Sequence, residues 1–183
     1  VTATGPEELK LLVREGDRRA FDELVKIEGT RQLAIATRAL HNRELAEDAV
    51  QDAFASAWIA RRRFDVSRPF GAWITRITLN KCRDIQRRNA VRNLFWMQKT
   101  YDDPTVPDES PDPEQTASDR AQLKRVEAEI EALPRKLRDA LLLTTIDGFS
   151  YADAASILKV SPKTIEMRTY HARKRLKTAL QEI

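Results

Sequence analysis

The stretch SYADAASILKVSPKTIEMRTYHARKRLKTAL, residues 150–180, reads as two helical segments joined by a short turn. Ser150 with Asp153 three residues on has the form of a capping box and starts a helix over Tyr151–Leu158. Ala155 is small where a second helix must cross closely, and Val160 falls in the turn as a buried anchor. Ser161 is placed to cap the next helix, with Pro162 at its first position, where a missing N–H costs nothing. That second helix turns Ile165 inward and Lys163, Thr164, Arg168, His171 and Arg175 toward solvent. The spacing is that of a helix-turn-helix, whose second helix enters the DNA major groove with its N-terminal residues against base edges. Between Lys163 and Lys177 six basic residues face one acid, Glu166, a local charge of +5. The plainer reading of the same residues is a pair of solvated helices with a basic surface. Lys159 stands in the turn where glycine is usual, because the backbone there often needs a positive φ.

Working toward the N-terminus, residues 135–146 carry Leu137, Ala140, Leu141 and Leu142 and predict one helix ending at Gly148. Residues 120–133 predict another, stopped before Pro134. The composition then changes. Residues 101–118 hold Pro104, Pro107, Pro111 and Pro113, six acids and almost nothing apolar. Such a segment cannot bury enough surface to offset its ordering entropy, so it is expected to be a flexible tether. It separates two helical modules, 6–92 and 119–183, with 93–118 as the acidic linker.

In the first module, residues 17–40 repeat apolar positions at Phe21, Leu24, Val25, Ile27, Leu33, Ile35 and Ala36, with Gly29 an expected irregularity. Residues 44–61 place Ala46, Val50, Ala53, Phe54, Ala57 and Trp58 on one stripe, and Glu44, Glu47, Asp48, Gln51 and Asp52 on the remainder. After a break at 65–69, Pro69 opens a helix predicted over 70–89. Phe70, Ile74, Ile77 and Ile85 form its apolar side. Arg76, Asn80, Arg83 and Arg87 follow at four, three and four spacing on another side. From Arg61 to Arg92 there are ten basic residues and two acids, a local charge of +8. Lys and Arg neutralise phosphates, and an Asn among them can read a base edge. Trp73 borders this polar face and Phe64 sits in the preceding loop; aromatic rings beside a basic groove suit unstacked bases of a single strand. Trp58 reads as core, whereas Trp73 fits core and site equally. Asp84 and Arg88 are spaced as an ordinary i,i+4 pair.

Composition limits the alternatives. The chain has 183 residues, 42% hydrophobic and 33% charged, with five glycines and no alternating strand pattern, which argues for an all-α protein. No apolar run reaches the ~18 residues of a membrane span, and no apolar leader opens the chain. Cys82 is the one cysteine, and His41 and His171 lie far apart, so neither a disulfide nor a zinc site is expected. No cofactor, no metal and a cytoplasmic location follow as expectations. The net charge of +4 hides an asymmetry, because removing the six acids of the tether leaves +10 on the rest.

Three motifs in order resemble one family. Ala46-Glu47-Asp48-Ala49-Val50-Gln51-Asp52-Ala53-Phe54 is similar to the AED-x-x-Q-x-x-F signature of bacterial sigma factors. Phe70-Gly71-Ala72-Trp73-Ile74-Thr75-Arg76-Ile77 followed by Asn80 resembles the family's next block. Thr164-Ile165-Glu166-Met167-Arg168 with His171-Ala172-Arg173-Lys174-Arg175-Leu176 is similar to its C-terminal helix-turn-helix. With two modules and a short linker, the chain resembles the extracytoplasmic-function group, which keeps only sigma domains 2 and 4. The resemblance implies two small helical bundles and an initiation factor that acts with core RNA polymerase and leaves the chemistry to it. It implies that Asp48, Gln51 and Asp52 dock on a coiled coil of the largest polymerase subunit. It implies that Phe64, Arg68, Trp73, Arg76, Asn80, Arg83 and Arg87 capture and melt the −10 element, and that Lys163, Thr164, Arg168, His171 and Lys174 read the −35 element. An anti-sigma factor that clamps the two modules, free or at the membrane, is the implied regulator.

Two departures from the family pattern stand out: Lys159 with the Ser161-Pro162-Lys163 start replaces a commoner Gly and Gly-Thr, and Glu166 stands where a basic residue is frequent. That carboxylate can accept from a cytosine amine or pair with a nearby Arg. Other classes explain less. A stand-alone regulator using residues 150–180 leaves the first module's acidic helix and basic aromatic face unused. A decoy for an anti-sigma factor needs no DNA-binding surface, and an enzyme lacks any placeable nucleophile, carboxylate pair or phosphate loop.

Overall fold

Three long helices dominate the first unit, α2 (Arg18–Leu40), α3 (Arg43–Ala60) and α4 (Phe70–Trp96), and alanine sets how closely they approach. Ala36, Ala46, Ala49, Ala53 and Ala57 have no solvent exposure at all. With so little side chain between them, the backbones come close enough for Cys82 and Ile85 of α4 to close over Ala36, Ala46 and Ala49. The other end of the bundle is aromatic. Phe21 meets Phe54 edge-on at 6.2 Å, and Phe64 meets Phe70 at 5.7 Å with an interplanar angle of 90°. Such pairs contribute about 0.5–1.5 kcal/mol each beyond simple burial.

This computed structural model describes residues 5–96 and 117–181, in two compact units on either side of the acidic segment. The tether itself, 97–116, lies outside the described residues. Residues 93–96 and 117–118, assigned to the linker by composition, belong instead to the ends of α4 and of α5 (Ala117–Ala132). Among the described residues there is no strand.

Several expectations need correction. An unforeseen helix, α1 (Pro6–Glu15), buries Leu9 and Val13 in the aromatic cluster. Its signals were present in Pro6, the first-turn acids Glu7 and Glu8, and Gly16, which ends it at φ 105°. Helix α2 passes through Gly29 unbroken, because apolar residues on both sides of the glycine bury and outweigh its ~1 kcal/mol propensity cost. Ile27, placed in the apolar repeat, is 59% exposed. Helix α4 runs seven residues past its predicted end. The predicted helix over 135–146 divides into α6 (Arg135–Leu141) and a widened π turn, Leu142–Ile146. There the Thr144 hydroxyl donates to the Ala140 carbonyl at 2.8 Å and competes with the backbone ladder.

The second unit continues with α7 (Tyr151–Leu158) and α8 (Pro162–Gln181). Leu133, Leu141 and Ala172 form its core with Ile130, Leu137 and Leu176. Ser150 caps α7 as expected: its Oγ accepts from the Asp153 amide at 3.0 Å and donates to the Asp153 carboxylate at 2.7 Å. Lys159 does take the left-handed conformation, φ 56° and ψ 49°, and Val160 is half-buried rather than enclosed.

Candidate nucleic-acid interface

Helix α8 is amphipathic in the sense a groove-reading helix requires. Ile165, Thr169 and Ala172 are buried on one side. Lys163, His171, Lys174 and Arg175 are exposed on the other, with Thr164 and Arg168 half-buried at its edges. The start of the helix is fixed by Ser161, whose Oγ accepts from the Thr164 amide at 3.1 Å and lies 2.8 Å from the Thr164 hydroxyl. Glu166 pairs with Lys163 at 2.9 Å, so the acid at this position meets a lysine of its own helix rather than an arginine. Tyr170 packs edge-on to His171 at 5.5 Å. His171 and Lys174 also line a cleft of about 620 Å³ with Leu137, Arg175, Thr178 and Ala179. Spacing along α8 carries no sign of that cleft, because Leu137 comes from a different helix.

In the first unit, α4 carries the expected polar face. Asn80 and Arg87 are exposed, and Arg76 and Arg83 are half-buried. Arg83 donates to Asn80 Oδ1 at 2.9 Å, which orients the amide on the helix surface. Asp84 pairs with Arg87 at 3.3 Å; Arg88 reaches only the Asp84 backbone carbonyl, so the expected Asp84–Arg88 ion pair is replaced. The aromatic assignments separate. Trp73 is half-buried, stacked on Phe64 at 4.7 Å with planes 29° apart. Phe64 itself is 3% exposed, packed against Phe70 and Trp73. A ring so enclosed supports Trp73 from beneath and does not present a face to a base. Sequence reasoning placed it in the loop correctly but had no means of seeing its side chain fold back into the core.

The loop after Phe64 is internally tied. Asp65 accepts from the Ser67 hydroxyl at 2.7 Å and the Ser67 amide at 3.1 Å, and pairs with Arg68 at 3.3 Å. The Ser67 hydroxyl, then the Ser67 amide, hold the Asp65 carboxyl below its ordinary range. Two residues that sequence reasoning passed over also belong here. The Arg61 guanidinium lies 4.4 Å over the Trp58 ring and donates to the Trp58 carbonyl at 2.9 Å, while Arg18 lies 5.1 Å from the same ring.

Asp48, Gln51 and Asp52 are exposed along α3. With Leu45 they line a groove of about 420 Å³ that also includes Ile85, Arg88, Asn89 and Arg92 of α4. The acidic surface predicted on α3 alone is therefore one wall of a groove whose other wall is basic. Among the described residues, no group of His, Cys, Asp and Glu is arranged to hold a metal, and no helix is long and apolar enough to cross a membrane.

Comparison with known proteins agrees with this division. Residues 24–92 match the family model Sigma-70 region 2, and residues 123–176 match Sigma-70, region 4. The RNA polymerase sigma factor NccH of Alcaligenes xylosoxydans xylosoxydans is 36% identical over 176 residues, 96% of this chain and 94% of that protein. CnrH of Cupriavidus metallidurans is 38% identical over 170 residues, 90% of this chain and 88% of its own. The solved structure of CnrH in complex with the cytosolic domain of CnrY superposes with a TM-score of 0.69, covering 96% of each chain at 33% identity. The ECF RNA polymerase sigma factor SigM of Mycobacterium tuberculosis is 30% identical over 88% of this chain and 77% of that protein.

Proposed function

Because the chain belongs to the extracytoplasmic-function family of RNA polymerase sigma factors, we propose that its two units divide promoter recognition between duplex and single strand. The second unit, 119–183, reads the −35 element as duplex through Lys163, Thr164, Arg168, His171 and Lys174. The first unit, 6–92, holds the melted −10 strand on Trp73, Arg76, Asn80, Arg83 and Arg87, with Arg68 in the adjoining loop. Asp48, Gln51 and Asp52 dock on core polymerase. The protein runs no reaction of its own and acts in the cytoplasm.

One observation carries the reading. A capped recognition helix with a basic outer face and a half-buried tryptophan beside an Arg–Asn–Arg face occur on separate units of one chain. Duplex readout needs the first and strand capture needs the second. A protein antagonist is part of the proposal. CnrH, a relative of known structure, is in complex with the cytosolic domain of CnrY, and an anti-sigma factor here would cover the basic surfaces of the two units.

Run-off transcription tests the whole. Core polymerase free of sigma is given a pool of genomic promoter fragments, with and without the protein. Discrete new transcripts are expected, and their start sites define both elements. Core binding without transcripts turns the reading toward a decoy; no core binding leaves a stand-alone regulator.

A further inference from the structure

Helix α1 carries a lysine in an unusual place. Lys10 is 5% exposed, although lysine is almost never that buried without partners. Its ammonium donates to the Arg68 carbonyl oxygen at 3.4 Å, across 58 residues of chain, and pairs with Glu7 at 2.6 Å. An ammonium removed from water has to keep such partners, because leaving them strands a buried charge. The Arg68 carbonyl is thus one of two partners of this buried ammonium, the other being the exposed Glu7 carboxylate of the same helix.

The same connection is also held at its other end. Gly16, the left-handed cap of α1, lies against Arg61: a Cβ there would stand 3.6 Å from its Nε and Nη2. Arg61 in turn is anchored on Trp58 by its stacking and its hydrogen bond. Both ends of the 61–68 connection thus rest on α1 or its cap. Between them Asp65 gathers the Ser67 and Arg68 amides, and Phe64 reaches down under Trp73.

We propose that α1 is a positioning element for base capture, with the Lys10 ammonium setting the direction of the Arg68 carbonyl and, through it, the loop beside Trp73. Lys10 itself acts through the loop and touches no DNA. The inference rests on the strand-capture role given above to that loop, and its test separates the two.

Holoenzymes with wild-type protein, Lys10→Met and Lys10→Arg are titrated with fork-junction DNA carrying each of the four bases at the captured −10 position. Met keeps the alkyl stem and loses the donor; Arg restores one. Lys10→Met is expected to flatten the preference among bases, on the order of tenfold, with core affinity unchanged and with Lys10→Arg recovering most of the preference. An unchanged preference overturns the proposal, and so does an equal loss on all four bases by a folded variant, which assigns Lys10 to DNA binding in general and not to base selection. If Lys10→Met does not fold, Lys10→Leu, which also lacks a donor, takes its place. Amide hydrogen exchange on the free protein is read in parallel. Faster exchange at Ser67 and Arg68, with α2 and α3 unaltered, is expected whether or not the loop binds bases, and unaltered exchange there refutes the positioning role. A wild-type holoenzyme that shows no base preference sinks the strand-capture reading instead.

Discussion

Asn80 and Arg168 belong to different steps, and single substitutions separate them. Asn80 has its amide oriented by Arg83 on an exposed face of α4, so Asn80→Ala is expected to reduce strand opening, read by permanganate reactivity at −10, well before it reduces core binding. Arg168→Ala is expected to cost about 1–3 kcal/mol at a matched −35 element if the guanidinium makes a bidentate base contact. Equal loss on a scrambled −35 element would assign it to phosphate instead. Cys82 gives a pH-dependent prediction. Burial pushes its thiol pKa up to about 11 from an ordinary 9.0, so the neutral thiol is favoured in the folded state. Its contribution to stability is whole below pH 9 and is lost as pH rises toward 11. A thiol reagent at pH 8 should therefore label native protein only as fast as it unfolds. Residue types were legible at this scale, but exposures were not. Phe64 and Trp73 look alike in sequence, and only packing put the first in the core and left the second at its edge.

At the scale of the helix, the turn between α7 and α8 holds a lysine in a left-handed conformation that costs about 1 kcal/mol for a residue with a Cβ. Lys159→Gly should raise the urea midpoint by an amount equivalent to about 0.5–1 kcal/mol, and an unchanged or lowered midpoint would show the strain is relieved elsewhere. Ser161 is the only side chain that caps α8 among the described residues. Ser161→Ala should cost about 1 kcal/mol of stability and weaken −35 binding with it, because fraying there releases Lys163 and Thr164. Starts of helices were the best-read features, since Ser150, Ser161, Pro162 and Pro69 act through local geometry alone. The π turn after α6 was not legible. It depends on Thr144 turning its hydroxyl back to Ala140, a choice that a sequence of helix-compatible residues does not announce. Helix α1 has readable signals, with Leu9, Leu11, Leu12 and Val13 between Pro6 and Gly16, but the partners that bury it, Phe21, Phe64 and Phe70, are distant in sequence.

For the molecule as a whole, a hydrophobic core within each compact unit predicts two folding units. Fragments 1–96 and 117–183, expressed separately, should each give a cooperative helical melt by circular dichroism. A fragment that is unfolded alone but folds on adding the other would show that the cores depend on one another. Charge works at this scale too. The +8 and +5 stretches lie in different units, so each unit adds its own phosphate contacts to the salt dependence of promoter binding.

The sequence by itself determined that the chain is helical, where most of its helices begin, how its charge divides, and which family it resembles. Those properties are carried by local spacing, capping chemistry and motif order, each readable within a few turns of chain. Only the tertiary structure decided that the acidic face of α3 shares a groove with Arg88 and Arg92, that Phe64 is enclosed, and that Lys10 is buried against the Arg68 carbonyl. The groove and the lysine contact join residues some forty to sixty positions apart, and Phe64 is enclosed by Phe70 and Trp73 only because the loop folds back on the start of α4. Their contacts arise from how closely the alanine-lined helices pack, and spacing along the chain does not encode that distance.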